Sequence, residues 1–243
     1  MKTISLLIPL IVATTALDLP DSFKTCAVSN VNECLAEATR VSLIAMRNGL
    51  KEFKLRPIDP LEINSIKFGD GQSAVSLKQE YWNITLSGIT KNLQVETVSV
   101  DVPNRHYIVI SKNPVMIFSA NYKLGGRIMV LPVSGEGRCN ISMYNLSTTH
   151  DVQLEAIERN GETYQKVKKY TIKLDPKNVK FEFDNLFNGD PVLGPEMLKF
   201  LNENSNLVYK EYKEPFEITF GTAFAHIADK VFTRVPYKKI YLT

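Results

Sequence analysis

A chain of 243 residues with 29 Lys and Arg against 26 Asp and Glu has a formal net charge of +3, and its 44% apolar content can fill a substantial core. So small a charge on so large a surface argues against binding a nucleic-acid backbone. Twelve Phe, ten Tyr and six Met against three His favour adaptable apolar contacts over acid–base or metal chemistry.

From the N-terminus, Lys2 precedes an apolar run, Ile4 to Ala13, that is short for a membrane span, and Thr14-Thr15-Ala16 supplies a small residue before a cleavage point. Residues 1–16 therefore read as a secretory signal with the mature chain starting at Leu17; a buried N-terminal strand is the weaker alternative. No other stretch reaches the roughly eighteen apolar residues that span a bilayer, so the expected location is secreted and extracellular, without stable membrane insertion. Cys26 and Cys34 lie close together, where an oxidising route pairs them, leaving Cys139 as a buried small apolar residue, with intermolecular pairing as the alternative. Three sequons suit the same compartment, at Asn83, Asn140 and Asn145.

The spacing of Leu35, Ala38, Ser42, Leu43 and Met46 predicts a helix over 31–48, with Asn30 as cap, Glu33 completing a capping box and Gly49 ending it. Two prolines in Pro57-Ile58-Asp59-Pro60 then impose an extended path. From there to about Phe187, runs such as Val95 to Val100 and Tyr170 to Leu174 alternate apolar and polar residues, the pattern of an antiparallel sheet with one buried face. Gly69-Asp70-Gly71, Gly125-Gly126 and Asn160-Gly161 are predicted turns between strands. A last helical region spans 195–234. Pro215 is expected to kink or divide it, and Phe216, Phe220, Phe224, Ile227 and Val231 form its best apolar stripe. A nearly continuous helix of that length reaches about 60 Å, so a sheet covering it must wrap along it. No linker divides the chain, which reads as one domain over 17–243.

Several segments together resemble the insect takeout and juvenile-hormone-binding proteins of the tubular lipid-binding superfamily. They are the Cys26…Cys34 pair with Asn32-Glu33-Cys34-Leu35, the segment Pro57 to Ile63, and Gly126-Arg127-Ile128 with Leu131-Pro132-Val133. Gly135-Glu136-Gly137, Phe200-Leu201-Asn202-Glu203-Asn204 and Val235-Pro236-Tyr237 complete the set. The resemblance covers essentially the whole mature chain. It implies an α+β fold in which a long C-terminal helix is wrapped by a strongly curved antiparallel sheet, with a shorter N-terminal helix and an apolar tunnel between helix and sheet. It also implies a small elongated hydrophobic ligand, no catalysis, no metal or other cofactor, a monomer, and an association with circadian rhythm. Ser205 stands where takeout proteins often carry tryptophan, and lone Cys139 cannot supply the second disulfide of the hormone-binding branch, so the takeout branch fits better.

By itself the stripe from Phe216 to Val231 reads as ordinary core. With the resemblance, Phe220, Phe224 and Ile227 become candidates for ligand contact from the helix, and Met116, Phe118, Met129 and Met143 from the sheet. Tyr122 and Tyr144 are candidates for orienting a polar head group. Little supports an enzyme. His106, His150 and His226 have no metal-ligand spacing, and no Gly-x-Ser-x-Gly elbow occurs. Gly135-Glu136-Gly137 lacks the third glycine of a nucleotide fingerprint, and Cys139 with His150 has no spacing logic as a nucleophile and base. Lys166-Val167-Lys168-Lys169 reads as a solvated strand face. Two readings remain: a ligand carrier, and a secreted interaction module whose interior is filled by side chains.

Overall fold

The structure, a computed structural model, describes residues 16–69, 75–128 and 130–242. The alternating segments become seven antiparallel strands: β2 (Leu61–Phe68), β3 (Val75–Ser87), β4 (Gln94–Asp101), β5 (His106–Ile128), β6 (Leu131–Arg159), β7 (Glu162–Asp175) and β8 (Asn178–Phe183). Ahead of them lie β1 (Cys26–Ala27) and helix α1 (Val31–Ala45). Behind them come α2 (Leu193–Glu203), α3 (Ser205–Phe232), α4 (Tyr237–Ile240) and β9 (Tyr241–Leu242), which pairs in parallel with β1.

The sheet is built on β5 and β6, which pair along their whole length. The 29 residues of β6 extend roughly 95 Å along the strand. Each end of this central ribbon has its own neighbours: β4 flanks His106–Lys112 of β5 and β3 flanks Ile117–Ile128, while β8 and β7 divide β6 in the same way. Register shifts at Trp82/Thr85, Val95/Thr97 and Gln153/Leu154 add local bends.

The buried face changes midway along the ribbon. On β5 it passes from odd positions (Tyr107, Ser111, Asn113) to even ones (Met116, Phe118, Ala120, Tyr122), and on β6 from odd (Cys139, Ile141, Met143) to even (Leu146, Thr148, Val152). Both changes fall at the same level, where Pro114 lies opposite Asn145, whose φ is 46°. A one-residue slip moves side chains to the other face of a strand. Because both strands turn over together, their pairing is preserved and the interior is lined from one end to the other.

The helices are fastened to the sheet edges by side chains. Asp229 Oδ1 and Glu217 Oε1 on α3 accept the β7 backbone N–H groups of Val167 and Leu174, each at 2.8 Å. Asn202 on α2 accepts from Phe181 N at 2.8 Å and donates to Phe181 O at 2.9 Å on β8. Backbone groups that an edge strand would leave open are thus paired inside the molecule. At the other end, the Cys26–Cys34 disulfide ties the start of α1 to the β1–β9 ribbon, where the Tyr107 and Tyr241 hydroxyls meet at 2.6 Å. Cys139 is free and buried, as expected.

Several local expectations are corrected. Helix α1 ends at Ala45, and Asn30 makes no side-chain cap. A 3-10 turn over Val28–Asn30 already leads into the helix, and the Arg47 carbonyl is taken up by the N–H groups of Ile58 and Asp59. Gly125 and Gly126 are not a turn but lie within β5, opposite Ser134 and Val133. Asn160 and Gly161, with φ of 54° and 75°, do form the β6–β7 turn, both in the left-handed region that a two-residue hairpin requires. The terminal helical region breaks at Asn204, not at Pro215. Asn204 leaves helical geometry (φ −110°, ψ 22°) and its side-chain amide donates to Phe200 O at 2.8 Å. Pro215 is accommodated inside α3, which at 28 residues is about 42 Å long. The predicted leader, apart from Ala16, and most of the turn at Gly69-Asp70-Gly71 lie outside the described residues.

Candidate functional site

The interior between α3 and the sheet is not filled. Beneath α1, the half of the sheet carrying β4 and β7 joins the C-terminal part of α3 around a cavity of about 260 Å³. A second cavity of about 50 Å³ lies in the other half, between β3, β8, α2 and the first part of α3. Leu174 and Phe220 belong to the walls of both. The one tunnel expected from the resemblance is therefore two compartments with a shared partition. Phe220 is 1% exposed and packs on Phe216 and Phe118, with ring centroids 5.9 and 6.3 Å away.

The Asp59 carboxylate fixes the loop that roofs the larger cavity. It accepts from Gly88 N at 2.9 Å, Thr90 N at 2.8 Å and Thr90 Oγ1 at 2.7 Å. From the other side, Asn113 Nδ2 donates to the carbonyls of Gly88 and Ile89, and Ile89 and Asn113 both line the cavity. Gly88 has φ +88°, and a Cβ there would meet Val115 O at 2.3 Å, so no other residue fits. Burial opposes ionisation of Asp59, but the hydrogen bonds from Thr90 and Gly88 outweigh it and hold the carboxyl below its ordinary range.

Most of the larger cavity is apolar, but one wall is not. Ser111 on β5 faces Thr148 on β6, and His150 lies two residues farther along the same face. Tyr170 OH lies 3.0 Å from His150 Nδ1, and Phe224 packs its ring 5.5 Å from the imidazole at a steep angle. Burial lowers the His150 pKa to about 4 and raises that of Tyr170, so both are neutral at ordinary pH.

The predicted contact residues divide between the compartments. Phe220, Phe224, Ile227 and Met116 line the larger one, while Phe118 and Met143 line the smaller together with Phe220. Met129 lies outside the described residues. Tyr122 and Tyr144 line neither cavity, and the Tyr122 hydroxyl donates to Asp184 O at 2.5 Å. Sequence reasoning missed Ser111, Thr148, His150 and Tyr170. Their polarity in a strand reads as a wet face; on β5 and β6 the buried set changes at Pro114 and Asn145, which places Ser111 and Thr148 on the inward side, and Tyr170 joins them from β7. It also missed α1 as a wall, although Ala38, Ser42 and Met46 belonged to the stripe that predicted the helix.

Cys139 and His150 are eleven residues apart on β6, roughly 36 Å along the strand, and burial pushes the Cys139 thiol up to about 12. They form no catalytic pair. Among the described residues, no three His, Cys, Asp or Glu side chains are grouped to hold a metal, and no helix is long and apolar enough to cross a membrane. The sequon asparagines Asn83, Asn140 and Asn145 are all exposed, and Asn140 Oδ1 accepts from Ser119 Oγ at 2.6 Å.

A curled antiparallel sheet with a long C-terminal helix and a short N-terminal helix is the takeout fold. Comparison with known proteins makes the assignment more specific. The model of the haemolymph juvenile hormone binding protein family matches residues 5–242, and the chain belongs to that family. It is 22% identical over 230 residues to the circadian clock-controlled protein daywake of Drosophila melanogaster, covering 91% of this chain and 88% of that protein. The daywake protein of Drosophila yakuba matches to the same extent. The crystal structure of Epiphyas postvittana Takeout 1 has the same fold, with a TM-score of 0.82 at 24% identity over 90% of this chain and 99% of that one.

Proposed function

We propose that this protein is a secreted carrier that takes a small elongated apolar molecule into the hollow between α3 and the sheet. The observation that carries this reading is the 260 Å³ cavity with Phe220, Phe224 and Ile227 along its helix side. A cavity of about 260 Å³ is just below the roughly 300–1,000 Å³ found for small-molecule sites. Burying about fifteen carbons at ~0.8 kcal/mol each contributes on the order of 12 kcal/mol. Lost rigid-body freedom offsets some 4 to 15 kcal/mol, which leaves room for micromolar or tighter binding. Residues 1–16 act as the secretion signal, 17–243 fold as one monomeric unit, and the exposed asparagines Asn83, Asn140 and Asn145 are open to glycosylation. The family is one of binding proteins, and the carrier needs neither catalysis nor a cofactor.

The direct test is organic extraction of purified protein followed by mass spectrometry, with displacement of a fluorescent apolar probe. A stoichiometric apolar compound in the extract, displaceable in solution, is the expected result. Phe224→Glu places an unpaired carboxylate in the hollow and should abolish probe binding while the protein stays folded. Consistent failure of the wild-type protein to load any apolar compound would leave the interaction module as the better reading.

A further inference from the structure

We propose that Thr148, with Ser111 and His150, forms a subsite for one uncharged hydrogen-bonding group, so that the preferred ligand is an apolar chain carrying an alcohol, ketone or ester. This rests on the carrier reading and deepens it. Thr148 lines the larger cavity, is 2% exposed, and its Oγ1 has no hydrogen-bond partner. A buried hydroxyl left unpaired is destabilising, and such groups are rarely retained without a use. Its cross-strand neighbour Ser111 is 4% exposed, and the Ser111 hydroxyl reaches only His150 Nε2, at 3.5 Å, the outer limit of a hydrogen bond. Two hydroxyls on one inward face thus keep donor or acceptor capacity that the protein does not use, and the long Ser111 contact leaves His150 Nε2 only weakly engaged. The nearby Asn113 amide is already committed to Gly88 and Ile89.

The chemistry of the wall selects a neutral group. Around the imidazole stand Ser111 from β5, Tyr170 from β7 and Phe224 from α3, none of them charged. Lys24 is the one Lys, Arg, Asp or Glu among the lining residues, and it is exposed, so its ammonium stays with solvent. A buried carboxylate would find hydroxyl donors here but no counter-charge, which does not compensate its lost hydration. A neutral oxygen accepts from Thr148 or Ser111 at little desolvation cost.

The test is competition against diphenylhexatriene, a purely hydrocarbon fluorescent probe, by an alkane, a primary alcohol, a methyl ester and a carboxylic acid of one chain length. The wild type should prefer the alcohol and ester to the alkane, and the acid at neutral pH should compete least. In Thr148→Val, which keeps the branched shape, the ratio of alcohol to alkane affinity should fall about five- to tenfold. Ser111→Ala should lower it in the same direction. Because Thr148→Val removes an unpaired buried hydroxyl, its ligand-free Tm should rise by about 2–4 °C. An unchanged ratio in both variants, an acid that competes best, or a fall in Tm would overturn the subsite while leaving the carrier reading intact. Failure of the probe and of every competitor to bind the wild type would remove both.

Discussion

Phe220 separates the two cavities, and its removal tests whether the partition sets ligand length. In Phe220→Ala the 260 and 50 Å³ compartments join, and the space of the deleted ring is added to them. The side chain is 1% exposed and loses its contacts to Phe118 and Phe216, so the substitution should cost about 3–5 kcal/mol of stability. Phe220→Leu is a gentler variant that opens the partition less. In a homologous series of primary alcohols, each buried methylene adds ~0.8 kcal/mol, or about fourfold in affinity. For the wild type that gain should stop once the chain meets the Phe220 and Leu174 wall. In Phe220→Ala it should continue for several more methylenes. Displacement titrations across the series read the break point directly, with thermal melting to confirm folding. An identical break point in both proteins would show that the partition moves aside freely and that the length limit lies elsewhere.

Four other outcomes are expected. The folded-state pKa of His150 lies below the unfolded value of about 6.5, so its contribution to stability is complete above that pH and is lost as pH falls toward about 4. Up to about 3 kcal/mol is at stake if the hollow stays dry, and His150→Phe should flatten the stability–pH curve over that window in urea titrations. Asp59 has the usual carboxylate sign: its lowered pKa supports stability above about pH 4 and withdraws it below. Asp59→Asn should cost about 1–3 kcal/mol in denaturant unfolding and loosen the Ile89 loop, visible as faster amide exchange at Gly88 and Thr90. Replacing Cys26 and Cys34 by Ser releases a short loop and should cost about 2.5 kcal/mol on the chain-entropy model, measured by thermal unfolding.

How much was legible depends on how far each signal had to reach along the chain. The pattern of apolar alternation identified most strands because a sheet with one buried face imposes a period of two wherever it forms. The intervals of the Phe216 to Val231 stripe marked the buried face of α3 for the same kind of local reason. The pairing of Cys26 with Cys34 was readable because eight residues of chain hold the two together. One local signal misled: Gly125-Gly126 reads as a turn, yet long-range pairing with Val133 and Ser134 keeps both residues in β5. Of the two expectations for Pro215, a kink or a division, the division does not occur, since α3 runs through it.

What the amino-acid order determined by itself was therefore the kind and sequence of elements, the disulfide, the apolar helix face and the membership of a family of binding proteins. The tertiary structure alone decided which residues share a cavity. Ser111, Thr148, His150 and Tyr170 come from three strands, and they meet because the β5–β6 and β6–β7 registers set them side by side, on a face that α3 closes by docking on the edge of β7 through Glu217 and Asp229. The division of the hollow at Leu174 and Phe220 has the same origin. Facing and distance between residues far apart in the chain are set by register and helix docking, and no local periodicity encodes them.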